Sequence, residues 1–459
     1  MRARAFVVLG MAGALVAGAC SNSSSPKTAQ TALTVGKNPT TTANAAALKE
    51  NVPRPGVKGV TSSAIRVAVI TSTTNAVGGK YAQLADGIQA YFDRINDAGG
   101  IYGRKLEIVS KRDDNNGLVN DQMSTSSLAD DNAFAVFEAT LQMTGADTLA
   151  KANEPTFTWN INPEFASTPT QPHLNFFSTV PALCFTCPGP LLSWIALQNH
   201  FTKVGIIGYG VSSESKEACQ GTKTAFQKYG NGKIKVAFFD DTVGFAADLT
   251  ADVARMKSAG VQFVTTCMDT NEVVKLQKEM DQQGLHAVQD LPNAYDHDFL
   301  KQNGTIFQGA FVQPDYYPPW ESTPQSPLTQ QYLSDVKKVT NDPVEVTQVG
   351  YLDAIELVDA LKGAGPEFTQ AKVIDWMNGQ TAYDAQGMIQ PINWTTAHID
   401  PQANPNVRLV EQCQPIVEIL NSKFVPYQNH PGKPWPCFDA TKGGDQTPTW
   451  KSFAPGGVG

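Results

Sequence analysis

The strongest constraint on this chain is an alternation of short apolar strands and amphipathic helices that runs twice. Residues 65–70 (IRVAVI) read as a buried strand. In 81–97, Tyr81, Leu84, Ala85, Ile88, Tyr91, Phe92 and Ile95 recur at three- and four-residue steps, which predicts a helix stopped by Gly99-Gly100. Strands follow at 106–109, 134–137 and 156–159, with helices at 118–131 and 144–153 between them. A second round starts with a helix at 191–200. Strands at 204–207, 236–239, 261–264 and 306–312 then alternate with helices at 214–229, 249–259 and 271–283. Such alternation predicts parallel sheets covered by helices on both faces, and two rounds predict two α/β lobes. The segment 315–327, close to Pro314, Pro318, Pro319, Pro324 and Pro327, cannot be a helix or a central strand and reads as a crossover. Two more helices are expected at 328–339 and 346–361.

The rest of the chain sets the compartment. Arg2 and Arg4 precede an apolar run over 5–18, too short to span a bilayer but suited to a secretory signal. The run closes on Ala17-Gly18-Ala19-Cys20, which resembles the lipobox of bacterial lipoproteins, with Ala17 where Leu is usual. That resemblance implies a signal peptide over 1–19 and a lipidated Cys20. The Ser-, Thr-, Asn-, Ala- and Pro-rich segment 20–60 reads as a tether. Net charge is −8, and more negative without Arg2 and Arg4. An acidic body argues against a nucleic-acid partner and against an anionic lipid surface as the main target.

Six further cysteines, Cys184, Cys187, Cys219, Cys267, Cys413 and Cys437, suggest disulfides in an exported protein. Proximity favours Cys184–Cys187 and Cys413–Cys437, leaving Cys219–Cys267, although sequence alone does not choose the pairing. The spacing of Cys184 and Cys187 also matches thioredoxin-like redox sites. Pro181 before the pair, and Pro188-Gly189-Pro190 after it, favour a structural loop disulfide.

The order of segments resembles the extracytoplasmic solute-binding proteins of branched-chain amino-acid-type ABC transporters. The resemblance is carried by residues 65–71, by 87–96 followed by 98–104 (AGGIYGR), and by Arg112-Asp-Asp114. It continues through 203–207, 351–357 and the stretch from Phe368 to Ile389. It implies the type I periplasmic binding fold: two doubly wound parallel-sheet lobes joined by a three-crossing hinge, with ligand held between them. The implied boundaries are 61–180 plus 313–385 for lobe 1 and 181–312 plus 386–459 for lobe 2. Residues beyond 386 include an extension that a Cys413–Cys437 disulfide would staple.

Open α/β sheets bind ligands beyond the carboxyl ends of their strands. In the first lobe the candidates are therefore Thr73, Thr74, Asn75 and Tyr81, then Ala139, Thr140, Leu141 and Gln142, then Trp159, Asn160 and Asn162. In the second lobe they are Tyr209, Asp269, Tyr295 and Asp296. The resemblance implies an α-carboxylate held by first-lobe hydroxyls and an α-ammonium held by a second-lobe acid, near the place of Asp269. This chain departs at the hydroxyls: of the residues at 139–142 and 160–162, only Thr140 keeps one. With Trp159 and Met143 nearby, that departure suits a bulkier or aromatic solute.

Enzyme signals are weak. Gly208-Tyr-Gly210 begins like a dinucleotide fingerprint, but Ser213 stands where the third Gly belongs. There is no P-loop and no nucleophile elbow, and the six histidines form no metal motif. Asp296-His297-Asp298 reads as a helix-start cap with solvated charges rather than a metal site. The expectation is a monomeric lipoprotein on the extracytoplasmic face, without cofactor or metal, that hands a small organic solute to an ABC permease. A ligand-sensing lipoprotein without a transporter is the alternative.

Overall fold

A computed structural model describes residues 56–454, except 169 and 315–317. The expected signal peptide, Cys20 and the expected tether up to residue 55 lie outside the described residues. The last part of the tether does not behave as one. Val57 and Val60 pack on the core, Gly59 accepts from the backbone of Arg66, and Lys58 pairs with Glu154 at 3.0 Å.

The first sheet contains β1 (Ala64–Thr71), β2 (Lys105–Asp113), β3 (Ala135–Ala139), β4 (Thr156–Thr158) and β5 (Phe176–Phe177). Its order is β2-β1-β3-β4-β5 and every pairing is parallel. Six of the eight residues of β1 are apolar and seven are buried, as a central strand covered on both faces requires. Helices α1 (Leu84–Asp97), α2 (Asn120–Asp130) and α3 (Ala146–Lys151) make the crossovers.

The second round gives α4 (Leu191–Gln198), β6 (Lys203–Tyr209), α5 (Ser213–Tyr229), β7 (Lys235–Val243) and α6 (Thr250–Ala259). It continues with β8 (Phe263–Cys267), α7 (Thr270–Gln283), β9 (Val288–Leu291), α8 (His297–Asn303) and β10 (Phe311–Val312). The parallel order β7-β6-β8-β9-β10 repeats that of the first sheet. The strand expected over 306–312 shrinks to two residues, because 304–309 form turns that end α8.

The chain then returns to the first lobe as α9 (Pro327–Val336), α10 (Glu345–Ala364) and α11 (Gln370–Asn378). Helix α10 is buried nearly all round and lies against α1. Glycines permit that approach: a Cβ on Gly87 would sit 1.8 Å from the Thr347 carbonyl oxygen, and one on Gly350 2.1 Å from that of Leu84.

Residues after 385 do not pass directly to the second lobe. Trp394 and His398 pack on Phe177 of the first sheet, at 5.2 and 5.6 Å between ring centres. The change of lobe therefore falls later than residue 385. Beyond it come β11 (Glu411–Cys413), β12 (Val417–Ile419), β13 (Phe424–Pro426), β14 (Trp435–Asp439) and β15 (Thr449–Lys451). Strand β12 adds antiparallel to β10, and β13 to β12. The sheet β11-β14-β15 is stapled by Cys413–Cys437 and meets α4 through Trp194, whose ring lies 5.6 Å from Phe438.

Cys184 and Cys187 form the second disulfide. Cys219 and Cys267 do not form the third and are thiols. They flank Gly208, where a Cβ would lie 2.4 Å from the Cys219 sulfur. Hydrogen bonding to Cys219, together with burial, holds the Cys267 thiol well above its usual pKa. A protonated thiol is a poor nucleophile, so Cys267 behaves as packed core.

Candidate functional site: the cleft between the lobes

The carboxyl ends of β1, β3 and β4 face those of β6, β8 and β9 across a cavity of about 400 Å³. From the first lobe come Tyr81, Leu141, Trp159 and Asn160, and from the second Tyr209 and Asp269. An adjoining chamber of about 310 Å³ shares Tyr81, Trp159, Asp269 and Asn293, and adds Tyr295 and Asp296. Eight of the fifteen candidates from sequence thus line the cleft, and they come from six different loops at strand ends.

Aromatic rings form its walls. Tyr81 and Trp159 lie 5.6 Å apart at a tilt of 46°. Tyr209 packs edge-on against Phe245 at 4.8 Å, and its hydroxyl donates to Glu272 at 2.7 Å. Asp269 precedes α7 and is 8% exposed. Asn293 Nδ2 donates to its Oδ1 at 3.0 Å. Burial pushes the Asp269 carboxyl up to about 6, against the hydrogen bond from Asn293. Among the described residues no Lys, Arg or His lines the larger cavity; Lys80 lines the adjoining chamber and is paired there with Asp296 and Asp298.

Other candidates take structural duties. Thr73 and Thr74 are exposed, and the Thr74 hydroxyl donates to Asp113 at 2.5 Å. Asn75 folds its own loop: its Oδ1 accepts from Gly78 and Gly79, and its Nδ2 donates to the carbonyls of Ser72 and Gly79. Ala139 is buried at the end of β3, and Gln142 lines neither chamber. Asn162 donates to the Thr140 carbonyl at 2.9 Å and ties two loops together behind the cleft. Asn160 keeps its place in the wall, where its Nδ2 donates to Pro181 and its Oδ1 has no partner. Asp296 caps α8 by accepting from the N–H groups of Asp298 and Phe299, and it pairs with Lys80 at 2.8 Å. Tyr295 donates to Glu321 at 2.5 Å.

Thr140 shows what became of the expected hydroxyl clamp. Its side chain donates to Asp114, and Ser72 Oγ donates to the same carboxylate at 2.7 Å. Gly117 N and Asn120 Nδ2 complete the shell of Asp114. Asn120 also reaches Glu138, whose carboxyl is pushed up to about 8 by burial. The hydroxyls beneath the first-lobe loops therefore serve a buried acid of the protein itself.

Sequence reasoning missed Asp290, Glu214 and Phe185 in the wall. Asp290 is buried at the end of β9, accepts from Gln313 at 2.7 Å, and is pushed up to about 8 by burial. An acid inside a short buried strand was the available signal. Phe185 comes from the Cys184–Cys187 loop, which gave no sign in sequence that it would face the cleft.

A family model for periplasmic binding proteins matches residues 64–413, most of the chain. The chain belongs to the periplasmic binding protein family. It is a solute-binding protein and not an enzyme. No curated protein sequence matches this periplasmic binding protein significantly. Solved structures share its fold at low identity. A fatty acid ABC transporter substrate-binding protein from Thermomonospora curvata is 17% identical, with a TM-score of 0.64, over 81% of this chain and 94% of that one. The branched-chain amino acid transporter substrate binding protein LivJ from Streptococcus pneumoniae, in complex with isoleucine, is 14% identical, with a TM-score of 0.63, over 79% and 98%. An ABC transporter solute binding protein from R. palustris, in complex with 4-hydroxybenzoate, is 16% identical, with a TM-score of 0.61, over 79% and 95%.

Proposed function

We propose that this periplasmic binding protein captures a small organic solute bearing an ammonium group on an apolar or aromatic body, an amino acid or related amine, and delivers it to an ABC permease. The observation that carries the reading is the pairing of aromatic faces with Asp269, an acid that makes no ion pair among the described residues. Tyr81, Trp159 and Tyr209 share the cavity with Asp269. Rings attract a cation through their electron-rich faces, and a buried carboxylate adds charge complementarity. The engagement of Ser72 and Thr140 by Asp114 argues against the usual clamp on an α-carboxylate. The similar structures are named for a fatty acid, isoleucine and 4-hydroxybenzoate, a range that supports an apolar ligand body in this frame. In this reading the protein works as a monomer on the extracytoplasmic side, held to the membrane by a lipid on Cys20.

Thermal unfolding against a panel of amino acids, aromatic amines, amides and short peptides tests the proposal. A ligand at a hundred times its dissociation constant stabilises the folded state by about 2.7 kcal/mol. An amine should give that shift, and Asp269→Asn should remove it. A panel in which no amine shifts the transition, or in which Asp269→Asn keeps the shift, overturns the assignment.

A further inference from the structure

A second cavity, of about 440 Å³, lies behind the Cys184–Cys187 loop, where that loop meets the segment leading into β11. It shares part of a wall with the cleft, including Val180, Leu183 and Leu191, but its other side is formed by residues 390–414 and Phe438. Its charge is the reverse of the cleft's. The side chains of Leu183, Pro391, Ile392, Ile399, Val407 and Phe438 give it an apolar lining. Leu409 and Val410 line it too, although 38% and 68% exposed, which marks an apolar rim. No acidic side chain lines it, and Arg408 is its sole charged residue.

Arg408 is not neutralised by any acid among the described residues. Its terminal nitrogen donates to the Pro188 carbonyl at 3.0 Å, its Nε is buried without a hydrogen-bond partner, and it makes no ion pair among the described residues. A guanidinium keeps its charge at any physiological pH and presents a fork of N–H groups that matches a carboxylate. A buried donor without a partner costs stability, and an incoming acceptor removes that cost. Gln412 lines the same cavity with an unpartnered side-chain oxygen, and half a turn of that amide presents its N–H₂ instead.

We propose that this cavity is a second binding site, separate from the cleft, for a monocarboxylic acid with an apolar body. Arg408 takes the carboxylate, and the apolar lining takes the body. The proposal does not depend on the ammonium reading of the cleft, because the two cavities use different charged groups.

Calorimetric titration of the protein with octanoate, and with octan-1-ol as the uncharged control, tests it. One octanoate should bind per chain. Arg408→Gln should weaken octanoate at least tenfold and leave octan-1-ol nearly unchanged, and Arg408→Lys should restore part of the loss. Trp159→Ala, in the cleft, should leave octanoate binding as it was. Since Arg408 also holds Pro188, a second variant, Val407→Trp, fills the cavity from its apolar side and should block both probes. The proposal is overturned if octanoate gives no binding, if Arg408→Gln binds it normally, if the two probes weaken equally in Arg408→Gln, or if Trp159→Ala abolishes octanoate binding.

Discussion

Asp269 carries the clearest consequence at the scale of single residues. Its carboxyl is pushed up to about 6 by burial, so the empty folded protein holds its proton more tightly than the unfolded chain does. The sign follows: this group favours the folded state at low pH, and that contribution is lost as pH rises through about 6. Ammonium binding has the opposite trend, since only the ionised carboxylate pairs with it. Affinity for an amine should be flat above pH 6 and fall about tenfold per unit below it, and Asp269→Asn should flatten the profile at the lower affinity. A titration across that range checks this; a pH-independent affinity in the unaltered protein would count against Asp269 as the charged contact. Asp269 and Trp159 could be placed at strand ends from sequence: Trp159 directly follows β4, and Asp269 stands two residues past β8. The duty of Thr140 was not legible, because nothing in the sequence places Asp114 beneath it.

At the scale of elements, the contact between α1 and α10 joins the chain's early and late parts into one lobe. Two glycines permit it, and neither has a left-handed backbone that would call for glycine by conformation. Gly87→Ala would drive a methyl into the Thr347 carbonyl, and Gly350→Ala one into that of Leu84. Each should destabilise the fold by about 3 kcal/mol, at the upper end of ordinary overpacking. Gly244, with no atom within 4 Å of an added Cβ, is the matched control, and Gly244→Ala should change little. Urea unfolding of the three variants decides the point, and equal midpoints would refute it. The helices themselves were readable from their periodicity. Their pairing was not, since it joins residues more than 250 positions apart through backbone contacts that leave no hydrophobic pattern.

For the whole molecule, the two lobes also meet directly beside the cleft. Lys80 of the first lobe pairs with Asp296 and Asp298 of the second, at 2.8 and 3.4 Å. Asn271 reaches the backbone of Ala76 and Val77 across the same gap. Lys80 is one-third exposed, so its pairing contributes about 1 kcal/mol or less and is screened by salt. Lys80→Gln should weaken solute binding by less than tenfold at low salt, with the difference shrinking at high salt. An effect that salt leaves untouched would mean that Lys80 contacts the solute or supports its own loop.

The sequence by itself determined the two rounds of strand and helix, because periodicity reports burial locally. It also determined the loops from which the cleft is built, because parallel strands all end on one side of their sheet. Tertiary structure alone decided which loop residues face the cleft and which are spent inside the protein. It left Cys219 and Cys267 as thiols, carried residues 386–398 onto the first lobe, and set Arg408 in an apolar cavity without an acid. Each of these depends on which groups meet from distant parts of the chain, and hydrogen bonding and charge are settled only where they meet.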